Sequence, residues 1–211
     1  MKRLFVFEGP DGVGKSSIAR GLHECLLNRG LKSCLLSFPG REPGTLGALV
    51  YQIHHSSDSV GVLKIDPFAL QMLHVAAHID SIKQTIEPVL SSNVIVILDR
   101  FWWSTIAYGV ADGLNRTQLD YLVGIEKFVW TLSPTALFVV KCEKPFRNEL
   151  SLEQWEKLTS QYHILIEQEA PKYPVFLLEN TASLAHTVQE TLDHSLRFID
   201  DKASPAGESN Y

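Results

Sequence analysis

Leu4-Phe5-Val6-Phe7-Glu8-Gly9-Pro10-Asp11-Gly12-Val13-Gly14-Lys15-Ser16 is the stretch from which the rest of the chain can be read. Its second half meets the phosphate-loop pattern G-x-x-x-x-G-K-[ST] at every fixed position, between an apolar strand and a helical run. Glycines let successive backbone N–H groups turn into one concavity, and the helix that follows adds the positive end of its dipole. Gly9, Gly12, Val13, Gly14 and Ser17 belong to that cradle. Lys15 can reach terminal phosphates, and the Ser16 hydroxyl can ligate Mg²⁺. A glycine-rich turn without a ligand has no need of a lysine and a hydroxyl at those two places. The segment therefore predicts a binder of ATP or a similar triphosphate with magnesium.

Outward from this loop, apolar runs alternate with helical periodicity, the pattern of parallel strands joined by crossover helices. Strands are expected at Leu4–Glu8, Ser33–Phe38, Asn93–Leu98, Ala136–Lys141 and Val175–Leu178. Helices are expected at Lys15–Arg29, from Pro67 to about Val89, and at Thr117–Leu132, Ser151–Glu169 and Leu184–Ile199. Asp66-Pro67 reads as an N-cap and first helical residue. The sum is an α/β fold, a three-layer α/β/α sandwich around a five-stranded parallel sheet, with ligands at the carboxyl ends of the strands. The 211 residues suit one domain over residues 1–199, with a polar tail at 200–211.

Composition narrows the function. Hydrophobic residues make up 45% and charged residues 20%, as in an ordinary globular protein. A net charge of −5 speaks against a nucleic-acid polymer as partner. No apolar stretch reaches membrane-spanning length, and three scattered cysteines, Cys25, Cys34 and Cys142, read as reduced packing thiols. The expected location is cytoplasmic.

The strand Asn93–Leu98 runs into Asp99-Arg100. A carboxylate at the end of an apolar strand, in a chain with a phosphate loop, is placed to hold Mg²⁺. Arg100 offers a planar fork to phosphate oxygens. Between the motifs lies Phe38-Pro39-Gly40-Arg41-Glu42-Pro43-Gly44-Thr45, a loop shaped by two Pro-Gly pairs. Arg41 in it is either a solvated charge or a second phosphate ligand.

Taken together, Phe7 to Ser17, Phe38 to Gly47, and Asp99-Arg100-Phe101 with Ser104, Ala107 and Tyr108 resemble the thymidylate kinase family. The resemblance spans about residues 3–199. It implies a dimeric P-loop kinase that moves the ATP γ-phosphoryl to a nucleoside monophosphate such as dTMP. The monophosphate-binding region would fall at about 39–92 and a short lid at about 142–152. It further implies that Asp11 meets the sugar 3′-hydroxyl, and that Arg41 and Arg100 bind the acceptor phosphate. Phe38, Ser104 and Tyr108 would line the acceptor pocket, with Asn180 and Thr181 near adenine.

Two places depart from the family pattern. Where a base-stacking aromatic and a base-bonding arginine are expected, the chain has His74 and His78. These could hold a base, pack in the core, or pair on a metal, since i and i+4 share a helix face. The lid offers a single arginine, Arg147, either a charge for the transition state or a solvated one. Trp102-Trp103 supplies at least one core or interface indole, and the other could wall the acceptor pocket. Two further readings stand beside the first: a kinase for a nucleoside or other small molecule, and an ATP-binding regulatory module without phosphotransfer.

Overall fold

The computed structural model describes residues 2–130, 132–143, 146, 151–181 and 183–200. Five strands, β1 (Leu4–Glu8), β2 (Ser33–Ser37), β3 (Ile95–Asp99), β4 (Ala136–Lys141) and β5 (Val175–Glu179), form one sheet. Their order is β2-β3-β1-β4-β5, parallel throughout. Central strands β1 and β3 are apolar up to their last residues, Glu8 and Asp99, because both faces of the sheet are covered.

Alternation along each strand divides the core in two. Phe5, Phe7, Ile97, Phe138 and Val140 point to the layer that holds α1 (Lys15–Asn28) and α8 (Leu184–Asp200). Leu4, Val6, Val96, Leu98, Leu137 and Val139 point the other way. There they meet α5 (Trp102–Ala111), α6 (Arg116–Val129), α7 (Leu152–Glu169) and the far end of the long central helix. This is the α/β sandwich the sequence predicts.

The long helix begins as expected. Asp66 caps α3 (Pro67–Ser81) by accepting from the N–H groups of Phe68 and Ala69 at 2.9 and 3.1 Å. The run then widens into a π-helical turn, Ile82–Ile86, before α4 (Glu87–Ser91). Pro88 accounts for the change. It has no N–H for the carbonyl four residues back, and its ring would collide with it.

Two helices exceed the sequence expectation. Leu46–Ser56 is α2, capped by the Thr45 hydroxyl, which accepts from Ala48 at 3.1 Å. The other is α5, which starts at Trp102, one residue after the Asp99-Arg100 motif, with Phe101 at its N-cap. The expected Thr117–Leu132 helix stops at Val129, where Trp130 turns extended.

Candidate functional site

The phosphate loop joins the carboxyl end of β1 to the start of α1. Gly9 has φ +135°, and a Cβ there would stand 2.3 Å from the Val140 carbonyl oxygen, so only glycine fits. Gly14 caps α1 in the left-handed region, φ 91°, and no side chain fills the first turn. The N–H groups of Ser17 and Ile18 donate to the Gly14 carbonyl, both at 3.1 Å, and an uncapped first turn of this kind suits an anion. Asn180 is tied to the loop, its Nδ2 donating to the Val13 carbonyl at 2.8 Å, and Thr181 follows it in the chain. The N–H of Phe146 donates to the Gly12 carbonyl at 2.9 Å. Arg147 and Lys144 lie outside the described residues.

Lys15 is 5% exposed and curls back to donate to the Pro10 carbonyl at 2.6 Å. Burial and then the Arg100 charge pull its pKa down to about 8, against the attraction of Asp11, Asp99 and Glu8. The ammonium, 3.8 Å from Asp11 Oδ1, is thus buried at the foot of the loop with a weakened hold on its proton.

Strand pairing sets Asp99 opposite Phe7 and brings the second motif to this floor. The Ser16 hydroxyl donates to Asp99 Oδ2 at 2.5 Å. A hydroxyl and a carboxylate so close are hard oxygen donors of the kind Mg²⁺ takes. Arg100 adopts φ 80°, a left-handed backbone rare for a side-chain-bearing residue, and its N–H donates to the Phe7 carbonyl at 2.9 Å. Its guanidinium donates to Asp11 and to the Ser104 hydroxyl at 2.9 Å. The Tyr108 hydroxyl donates to the other Asp11 oxygen at 2.7 Å. Burial tends to raise the Asp11 pKa, but the Arg100 and Lys15 charges outweigh it and leave the carboxyl below its usual value.

One participant goes beyond the residues singled out in the sequence. Glu8, fully buried at the end of β1, accepts from the N–H groups of Phe101 and Ser104 at 2.8 and 3.1 Å. It also accepts from the hydroxyls of Ser104 and Tyr162 at 2.8 and 3.0 Å. The α5 N-terminus has no cap of its own; Glu8 supplies one from 93 residues away. Burial raises its pKa, opposed by Arg100 and by the donors around it. The signal was present, since a carboxylate closing an apolar strand is what drew notice to Asp99.

The remaining sequence candidates flank this centre. Phe38 stacks on His78, centroids 4.1 Å apart. The His78 Nδ1 lies 2.7 Å from Glu126 Oε2, and both residues are buried. His74 Nε2 meets His54 Nδ1 at 3.1 Å instead of turning to His78, whose ring is 6.4 Å away. Burial, with the neighbouring His78, His54 and His55, pushes the His74 pKa down to about 3. Among the described residues, no group of three or more His, Cys, Asp or Glu is placed to hold a metal ion. Arg41 is exposed, its guanidinium 4.3 Å above the Tyr51 ring. Both indoles after Phe101 are buried: Trp103 donates to the Tyr173 hydroxyl at 3.0 Å, and Trp102 carries the Lys127 ammonium 3.6 Å over its ring. No described helix is long and apolar enough to cross a membrane.

Comparison with known proteins agrees with this geometry. The family model described as thymidylate kinase matches residues 7–169. The thymidylate kinase of Chlamydia caviae is 32% identical over 173 residues, 78% of this chain and 80% of that protein. That of Chlorobium phaeobacteroides is 29% identical over 218 residues, 90% and 94% of the two chains. The probable thymidylate kinase of Thermococcus kodakarensis is 28% identical over 167 residues, 78% and 77%. The matched span runs from the end of β1 to the end of α7 and takes in both phosphate-side motifs. With an anion cradle, a Ser16–Asp99 pair and a buried arginine at one end of the sheet, the chain belongs to the thymidylate kinase family.

Proposed function

We propose that this protein is an ATP-dependent kinase of a deoxynucleoside monophosphate of the dTMP class. The observation that carries the reading is the convergence of Asp11, Lys15, Ser16, Asp99 and Arg100 where β1 and β3 end. In this reading the loop amides and Lys15 hold the donor's terminal phosphates, with Asn180 and Thr181 toward its adenine. Ser16 and Asp99 are the residues that would hold Mg²⁺, which when bound draws charge from the β- and γ-phosphate oxygens. Arg100, and Arg41 once swung from Tyr51, receive the acceptor phosphate. Asp11 orients the sugar, and Phe38, His74, His78, Ser104 and Tyr108 line the acceptor pocket, beside the monophosphate-binding region at about 39–92.

The chemistry needs little from the protein beyond position and positive charge. An acceptor phosphate oxygen attacks the γ-phosphorus, the bond to the β-bridging oxygen breaks, and ADP leaves with that electron pair. The second pKa of a phosphate monoester is about 6, so the attacking oxygen is already ionised at neutral pH and no base is required. Arg147, in the lid at about 142–152, is assigned to the charge of the transferring group. The functional unit is proposed to be a homodimer.

An ADP-release assay across nucleoside monophosphates and nucleosides tests this. The expected result is turnover that depends on a monophosphate, is abolished in Lys15→Ala and is weakened in Arg41→Ala. Turnover with nucleosides alone, or ATP binding without acceptor-dependent turnover, would overturn it.

A further inference from the structure

Behind the acceptor side lies a second cavity, of about 220 Å³. Its walls are Phe101 and Trp102 from the start of α5, Trp130 after α6, and Tyr173 after α7. It opens to solvent on one side. At the rim, Glu169 is buried between two ammonium groups, Lys127 at 3.4 Å and Lys172 at 2.7 Å. Two ammonium groups thus share one carboxylate beside the aromatic faces, with Asp120 a further carboxylate acting on Lys127. Lys127 also rests over Trp102, its ammonium 3.6 Å from the ring centroid.

The cavity is distinct from the phosphate crevice yet joined to it by named contacts. Trp130 packs 5.3 Å from Phe101 and 6.0 Å from Phe38, centroid to centroid. Its indole N–H donates to Glu126 Oε1 at 3.2 Å, while the other Glu126 oxygen meets His78. Trp130 is therefore a wall shared between the cavity and the Phe38–His78 stack. A ligand that repositions this indole must alter the partner set of a fully buried carboxylate. Such a change is costly enough to move His78 as well.

We propose that this cavity is a second small-molecule site, for a planar aromatic ring carrying one anionic group, and that its occupancy adjusts the acceptor pocket through Trp130, Glu126 and His78. The ring is taken by the aromatic walls, and the carboxylate or phosphate by Lys127 and Lys172. Binding stands independently of the kinase reading; only the coupling rests on it.

The probe is indole-3-acetate, compared with its neutral counterpart indole-3-acetamide, by calorimetry and by soaking into crystals of the full chain. Saturable binding is expected, with the anion about fivefold tighter, since a partly exposed ion pair is worth up to about 1 kcal/mol. Lys127→Met with Lys172→Met should erase that preference, and saturating MgATP should leave binding intact. Failure to bind at millimolar concentration, displacement by MgATP, or an unchanged preference in the double variant would overturn the site. If the probe binds the cavity but leaves the acceptor KM unaltered, the coupling is overturned while the site survives. If no acceptor is turned over at all, the kinase reading fails and the binding result still decides the site.

Discussion

Lys15 holds the balance of charge at the centre of the molecule. With its pKa at about 8 in the free protein, the ammonium begins to lose its proton just above neutral pH. Polyphosphate beside it favours the charged form, so nucleotide binding raises the pKa again. The sign follows: near and above pH 8, binding takes up protons and affinity falls as pH rises. Calorimetry of MgATP binding in buffers of different ionisation heat should show net proton uptake at pH 8.5 that fades at pH 6.5. Uptake of the same size at both pH values would contradict the assignment. Glu8 gives a second expectation at this scale. Gln at position 8 keeps the shape but offers one acceptor oxygen and two donors to a site that contains four donors. One orphaned buried donor costs about 1–3 kcal/mol, so Glu8→Gln should unfold in urea about 2 kcal/mol earlier than the parent. Because α5 follows directly from Arg100, kcat should fall in the same variant.

At the scale of elements, what the sequence made legible divides by how local its causes are. The five strands stand within two residues of expectation, because central strands buried on both faces are apolar up to a closing charged residue. α3 announced itself through Asp66-Pro67, and α7 through its helical run from Ser151, where the structure adds a Ser151–Gln154 capping box. α5 gave no such sign: its cap is Glu8, remote in sequence, and its first residues are two tryptophans of modest helix propensity. The His74–His78 pair shows the same limit for the site. Periodicity set the two imidazoles on one helix face, but the partners that redirect them, His54 and Glu126, come from other helices. Helix crossings supply a prediction of their own. Gly21 on α1 lies where a Cβ would be 2.5 Å from Val188 on α8. Alanine there gains about 1 kcal/mol of helix propensity and meets a stiff β-branched side chain. Overpacking of this kind costs about 1–3 kcal/mol, so the clash wins. Gly21→Ala should lower thermal stability and, because α1 carries Lys15 and Ser16, weaken MgATP binding; a raised melting temperature would refute the close crossing.

At the scale of the whole molecule, α6 presents a second apolar face. Leu119, Leu122 and Val123 serve the core, while Tyr121, Ile125 and Phe128 are exposed, Phe128 at 92%. Their spacing of i, i+4 and i+7 makes one stripe. Gly124 interrupts that stripe with no atom within 4 Å of a Cβ and no left-handed φ to require it. A glycine inside a helix costs about 1 kcal/mol against alanine, and no contact at Gly124 among the described residues offsets the loss. A facing helix would, since a missing side chain lets two backbones approach. In a twofold dimer the stripe counts twice, and six large side chains at about 1.5–3 kcal/mol each give roughly 9–18 kcal/mol. Association itself costs about 4–15 kcal/mol, which places the dimer in a range where one position can decide it. Gly124→Ala therefore separates the possibilities cleanly. In a protein that associates through this stripe, the variant should sediment as monomer at concentrations where the parent is dimeric, because the added methyl appears on both sides of the axis. In a protein that does not, the same methyl should only raise helix stability by about 1 kcal/mol and leave the sedimentation coefficient where it was.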